Sequence, residues 1–243
     1  MACTVAQPTG LPIFKSAEDI ELPNKLNILE WYVELGTPKR IAQHCQAAGQ
    51  LAEFLAEKID AHIEPYVNPA LAKVLNEVHD MAKAVTLDTK GFLYDPTTDT
   101  WNWPSWNEFK GRHYLRKNFK GMHETQVATY IIEPEFPEFA QIVRQLGSTA
   151  NPIYLNSPFR EVLIAHYTDW RTSGVKLVPL NQRFSYLRKY FKGDSAAWAE
   201  RGAKEVEIEA TLFQNLTFGP EKLGFALLQK IEEKRSMGSI HYH

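Results

Sequence analysis

The adjacent residues His79 and Asp80, in the run VLNEVHDMAKAV, are the first whose types suggest chemistry. An imidazole beside a carboxylate is costly to bury without partners, so a largely apolar helix that carries both needs a reason for them. A lone buried histidine is most often a satisfied core residue, and the pair by itself decides little. Two other segments change the balance. His44 lies on or beside the apolar face of RIAQHCQAAGQLAEFLAEKI, and Asp169 sits mid-helix in VLIAHYTDW among residues that otherwise read as core. Two imidazoles and two carboxylates make a mixed nitrogen and oxygen set. It suits a divalent transition metal (Mn, Fe, Co, Ni or Zn) with positions left for water and substrate oxygens. His44, His79, Asp80 and Asp169 are therefore the expected metal ligands.

The elements that must position them follow from periodicity. NKLNILEWYVELG spaces Leu26, Leu29, Val33 and Leu35 as a short opening helix, and Gly36 stops it. Thr37 and Pro38 give a cap and a first-turn proline to a second helix, with Ile41, Cys45, Ala48, Leu51, Ala52 and Leu55 inward. After Pro65 and Pro69 the pattern resumes with Leu71, Val74, Leu75 and Val78, which puts His79 and Asp80 at the inward edge of a third helix. From Thr86 to Gly121 the period fails, and this stretch is expected to be a long irregular insertion. Helical patterns return in HETQVATYII, FPEFAQIVRQLG, SPFREVLIAHYTDWRTSG and LNQRFSYLRKYF. Two more lie around Pro220. The expected fold is an all-α antiparallel helical array.

The whole chain narrows the function. Its 243 residues carry a formal net charge of −2, which argues against the strong basic field that sequence-independent nucleic-acid binding requires. Cys3 and Cys45 are too few for a disulfide framework, no apolar run is long enough for a membrane span, and the first residues lack a signal-peptide layout. The cytoplasm is the expected compartment, with no membrane partner; a homo-oligomer stays open.

The order His44, then His79–Asp80, then Asp169 resembles the HD-domain metal-dependent phosphohydrolase superfamily, named for its adjacent His-Asp pair. TPKRIAQHCQAAGQLAEFLAEKI looks like the family's first metal helix, VLNEVHDMAKAV like its second, and IAHYTDWRTSGVKLVPLNQRF like its last segment. The resemblance covers residues 36–192, with the insertion at about 86–121, an N-terminal extension over 1–35 and a C-terminal helical extension over 193–243. It implies hydrolysis of a small phosphate ester, a nucleotide being the favoured class. HETQVATYIIEPEFPEFAQIVRQLG is similar to the intervening family segment, which in two-metal members closes on a pair of histidines. Here that close reads Arg144, Gln145, Leu146, which favours one metal ion per chain over two.

Under the same resemblance Asp80, Lys83 and His123 are the expected catalytic residues. Lys83 lies one turn beyond the His-Asp pair and either points into the pocket or lays its stem along the surface. His123 either meets the substrate or caps a helix in solvent. Arg171 either contacts phosphate or forms a structural ion pair. Arg112, Arg116 and Trp106, in a flap spanning Gly91 to Lys117 that also holds Trp101 and Trp103, either grip a nucleotide or fill a satellite core. His166, His241 and His243 are expected not to be ligands. Two other readings stand beside the hydrolase: an HD-type iron oxygenase, which needs two metals, and a non-catalytic helical module that senses a nucleotide.

Overall fold

The computed structural model describes residues 16–60, 66–86, 93–95, 100–102, 106–147, 153–190 and 195–238. The chain is all-α, with ten α-helices among the described residues: α1 (Lys25–Glu34), α2 (Lys39–Asp60), α3 (Pro69–Val78), α4 (Trp106–Asn118), α5 (Glu124–Ile132), α6 (Pro137–Val143), α7 (Arg160–Trp170), α8 (Leu180–Tyr190), α9 (Ser195–Phe213) and α10 (Leu223–Gly238). Two small antiparallel hairpins interrupt them, β1 (Leu93–Asp95) with β2 (Thr100–Asn102) and β3 (Thr172–Ser173) with β4 (Lys176–Leu177). No described helix is long and apolar enough to cross a membrane.

Three helices form the frame. Contacts of α2 with α3 run in opposite order along the two helices: His44 meets His79, Gly49 lies against Glu77 and Lys73, and Glu53 pairs with Lys73. The pair is therefore antiparallel. Gly49 permits the approach, since a Cβ there would sit 3.0 Å from the Lys73 carbonyl oxygen. Contacts of α3 with α7 rise together. The Glu161 carboxylate accepts from the Asn68 N–H at 2.6 Å, the Asn76 amide donates to the Thr168 hydroxyl at 2.8 Å, and His79 faces Asp169. These two run parallel, so both C-terminal ends arrive together beside the second turn of α2, where His44 sits.

The apolar positions expected of α2 and α3 are buried, Ile41 only partly. Helix α1 begins where Asn24 caps it through the N–H groups of Leu26 and Asn27. Its inward face differs from the leucine spacing. Ile28, Trp31, Tyr32 and Leu35 are buried, while Leu26 and Val33 are 69% and 60% exposed. The aromatic pair has more surface to bury, and the Tyr32 hydroxyl donates to the Glu77 carbonyl at the end of α3. Thr37 likewise departs from its expected role. Helix α2 starts one residue late, with the Pro38 carbonyl accepting its first bonds, and the Thr37 hydroxyl donates instead to the Met81 carbonyl at 2.6 Å.

The insertion is not irregular throughout. Its second half is α4, which packs against α1 and the 3₁₀ turn at Lys83–Val85 and buries Leu115, with Phe119 just beyond its end. Gly111 brings the α4 backbone onto the Leu35–Gly36 peptide, where a Cβ would lie 2.2–2.3 Å from backbone atoms. The expected flap from Gly91 to Lys117 is thus half fold element. The side chains of Trp101, Trp103 and Trp106 lie outside the described residues. The C-terminal extension is also joined to the frame, because Ile208, Leu212, Phe213 and Leu223 belong to the same apolar cluster as α2, α3 and α7.

Gly111→Ala should force the two backbones apart and destabilise the protein by about 1–3 kcal/mol, as overpacking does. Denaturant unfolding of the variant measures it, and unchanged stability would mean that α4 does not bear on this corner.

Candidate metal centre

His79 is the C-cap of α3 and Asp169 is the next-to-last residue of α7, so neither is mid-helix. Two helix C-termini, each with its partial negative charge, therefore converge with two carboxylates on one spot, a setting that favours a cation. The last carbonyls of α3 are nonetheless satisfied. Asn76 accepts from His79 Nδ1 at 2.7 Å, Glu77 from the Tyr32 hydroxyl, and Val78 from the Met81 N–H at 3.2 Å.

A carbonyl oxygen can only accept, so the bond to Asn76 places a proton on His79 Nδ1 and leaves Nε2 as the nitrogen that takes up either a second proton or a cation. That Nε2 is buried without a hydrogen-bond partner. It faces Asp169 Oδ1 at 3.5 Å and Asp80 Oδ2 at 3.6 Å. His44 repeats the arrangement, with Nδ1 on the Gly174 carbonyl at 3.1 Å and Nε2 at 2.9 Å from Asp169 Oδ1. A neutral imidazole has one N–H, yet each ring meets oxygens on both sides. A second ring proton resolves the conflict, and so would a cation that took both Nε2 lone pairs and an Asp169 oxygen. Gly174, in the turn between β3 and β4, holds φ at +59°, a conformation glycine adopts freely.

His44, His79 and Asp169 each offer a ligand atom within 4.8 Å of the others, as a metal site requires. Asp80 flanks this trio instead of completing it, because its Oδ1 is drawn 3.2 Å from Lys83 Nζ while Oδ2 remains towards His79. The ammonium of Lys83 also binds the Glu124 carboxylate, whose other oxygen accepts from the Thr86 hydroxyl at 2.7 Å. His123 caps α5 by accepting the Thr125 N–H at Nδ1, and its Nε2 lies 3.6 Å from Glu124. Gln145 is buried beneath this region and donates to the Gln141 carbonyl at 3.4 Å; Leu146 packs on the core.

Comparison with known proteins adds no identification. No family model, curated protein or solved structure matches the chain.

One expected residue lies elsewhere. Arg171 is not a substrate contact: it is buried, and its guanidinium donates to the Val178 carbonyl at 2.8 Å, Glu209 at 2.8 Å, the Tyr167 hydroxyl and the Pro220 carbonyl at 3.2 Å. Two residues along a helix turn the side chain by about 200°, so Asp169 and Arg171 take opposite faces. Arg112 is buried on α4, Arg116 is exposed there, and Trp106 begins that helix. His166 bonds Glu205 at 2.7 Å, away from the trio; His241 and His243 lie outside the described residues. Sequence reading missed Asn76 and Gly174, which act through backbone carbonyls, and Glu124, whose place in a helix first turn reads as dipole compensation.

Burial opposes a charge on His79, but the Asp80 and Asp169 carboxylates outweigh it and hold its pKa well above the ordinary imidazole value. Burial likewise pushes both carboxyls up. His79 more than offsets this, with Lys83 acting on Asp80 and the His44 hydrogen bond on Asp169, and both pKa values are lowered. In the metal-free protein the raised His79 contributes stability below its unfolded pKa of about 6.5 and loses it as pH rises through the raised value. The lowered carboxyls contribute above about 4 and lose it as pH falls through their folded values. A divalent ion competes with the proton on Nε2, so the melting-temperature gain from added Zn²⁺ or Mn²⁺ should grow between about pH 6 and 8. A gain independent of pH would show that no ring nitrogen gives up a proton.

Proposed function

We propose that this protein is a metal-dependent phosphohydrolase of the HD type, acting on a small phosphate ester with a nucleotide as the favoured class. The observation that carries the reading is the buried Nε2 of His79, which has no hydrogen-bond partner, is turned inward by the Nδ1 bond to the Asn76 carbonyl and faces two carboxylates. His44, His79 and Asp169 would hold one divalent transition ion, with Asp80 beside them. Such an ion supplies Lewis acidity towards a phosphoryl oxygen and lowers the pKa of a water it binds.

The chain's own groups supply the rest. Asp80, with Oδ1 tied to Lys83, has Oδ2 on the trio's side to orient a water and take its proton. Lys83 has three N–H donors and spends two on carboxylates, which leaves one for a non-bridging phosphate oxygen. The acceptor role of His123 Nδ1 puts its proton on Nε2, which can donate a hydrogen bond to the leaving-group oxygen and so stabilise the charge that develops there. The side chain is 41% exposed, so an incoming ester can reach it. The nucleotide preference rests on the aromatic and basic composition of the insertion, whose α4 packs against the turn at Lys83–Val85.

Elemental analysis of the purified protein should find about one transition-metal equivalent per chain. Phosphate should be released from p-nitrophenyl phosphate or a member of a nucleoside monophosphate panel, with activity lost on chelation and restored by a divalent ion. Asp80→Asn should abolish release while the fold is retained. A metal-loaded protein that binds nucleotides and releases no phosphate would instead be a sensing module.

A further inference from the structure

The charged groups around the trio form one continuous chain. Asp80 reaches Lys83 at 3.2 Å, Lys83 binds Glu124, and Glu124 lies 3.6 Å from His123 Nε2. Glu124 is the hub. It is buried, at 5% exposure, and uses one carboxylate oxygen for Lys83 and the other for the Thr86 hydroxyl. Its backbone is fixed because it opens α5 directly after the His123 cap, where Gln126 closes the box by accepting the His123 N–H at 3.1 Å.

An ammonium on a flexible stem has three equivalent donors and no preferred direction. Two carboxylates at fixed positions remove that freedom, so the third N–H points one way. The Asp80–Lys83–Glu124 group also carries a net charge of −1, so Lys83 does not serve as a free positive field for an anion. Its use lies in direction. We infer that Glu124 is a positioning residue: it clamps Lys83 against Asp80 and aims the remaining ammonium N–H, with the His123 Nε2–H beside it, at the anion that occupies the site. The inference rests on the phosphohydrolase reading for the identity of that anion, but not for the clamp.

The test uses the full-length protein loaded with Zn²⁺. In ¹H–¹⁵N spectra of lysine ammonium groups, a clamped Lys83 should give a signal protected from exchange, assigned by its absence in Lys83→Arg. Glu124→Ala should abolish that signal and Glu124→Gln weaken it, with bound metal unchanged. Should the buried alanine variant fail to fold, Thr86→Ala removes only the second anchor of Glu124 and should broaden the signal. Inorganic phosphate should shift it in the wild type and not in Glu124→Ala.

In turnover, Glu124→Ala should lower kcat by roughly tenfold to a hundredfold, in the range for residues that orient functional groups. The Lys83→Ala/Glu124→Ala pair should lose no more than Lys83→Ala alone, because Glu124 acts through Lys83. A protected signal that survives Glu124→Ala, a wild-type signal unmoved by saturating phosphate, loss of metal from Glu124→Ala, or multiplicative losses in the pair would overturn the proposal. If the wild type hydrolyses no phosphate ester while phosphate still moves the Lys83 signal, the phosphohydrolase reading fails and the clamp stands.

Discussion

The bond from His79 Nδ1–H to the Asn76 carbonyl is the constraint on which the rest of the site depends. It closes the end of α3, fixes the ring and turns a bare Nε2 towards Asp169 and Asp80 in a buried place. Without it the imidazole could rotate and satisfy its nitrogens locally. With it, the same lone pair needs a proton or a metal ion. The corresponding bond from His44 to Gly174 imposes the need a second time from the opposite side. Two helix C-termini and two carboxylates then set the sign of the field. Fold and site geometry are tied at this point, since the Asn76 carbonyl near the end of α3 is also the group that orients the His79 ring.

The C-terminal extension bears on this geometry through α7. Arg171 pairs with Glu209, and His166 is hydrogen-bonded to Glu205, so an ion pair and a hydrogen bond join α7 and the residue after it to α9. A buried ion pair such as Arg171–Glu209 is weak evidence for net stability, because desolvation offsets much of its attraction, but removing one partner leaves an unpaired charge and is costly. Lys230 adds a further tie from α10 to Glu57 of α2. The position of Asp169 relative to His44 thus depends on residues far along the chain from both.

Much of this was legible in the sequence. The buried faces of α2 and α3 have strong period, and polar residues interrupting apolar faces marked His44, His79 and Asp169. Helix α4 was not legible, because WNEFKGRHYLRKN has few apolar residues and a glycine in its middle. Gly111 is there for a backbone approach to Leu35–Gly36, which no local pattern announces. The buried face of α1 was decided by Trp31 and Tyr32 over the better-spaced leucines. The place of Arg171 opposite Asp169 was available from helical geometry, whereas its partners on α9 and at Pro220 were not. Asn76 and Gly174 act through carbonyl groups that every residue possesses, so their identity carried no signal.

The central claim is that the His44 and His79 Nε2 atoms are metal ligands with Nδ1 protonated. Imidazole ¹⁵N spectra of the protein titrated with Zn²⁺ test it most directly. The account predicts that one equivalent moves both Nε2 resonances to metal-bound positions while both Nδ1 atoms keep their protons. Rings whose Nε2 resonances ignore a saturating ion, or which bind it through Nδ1, would contradict it.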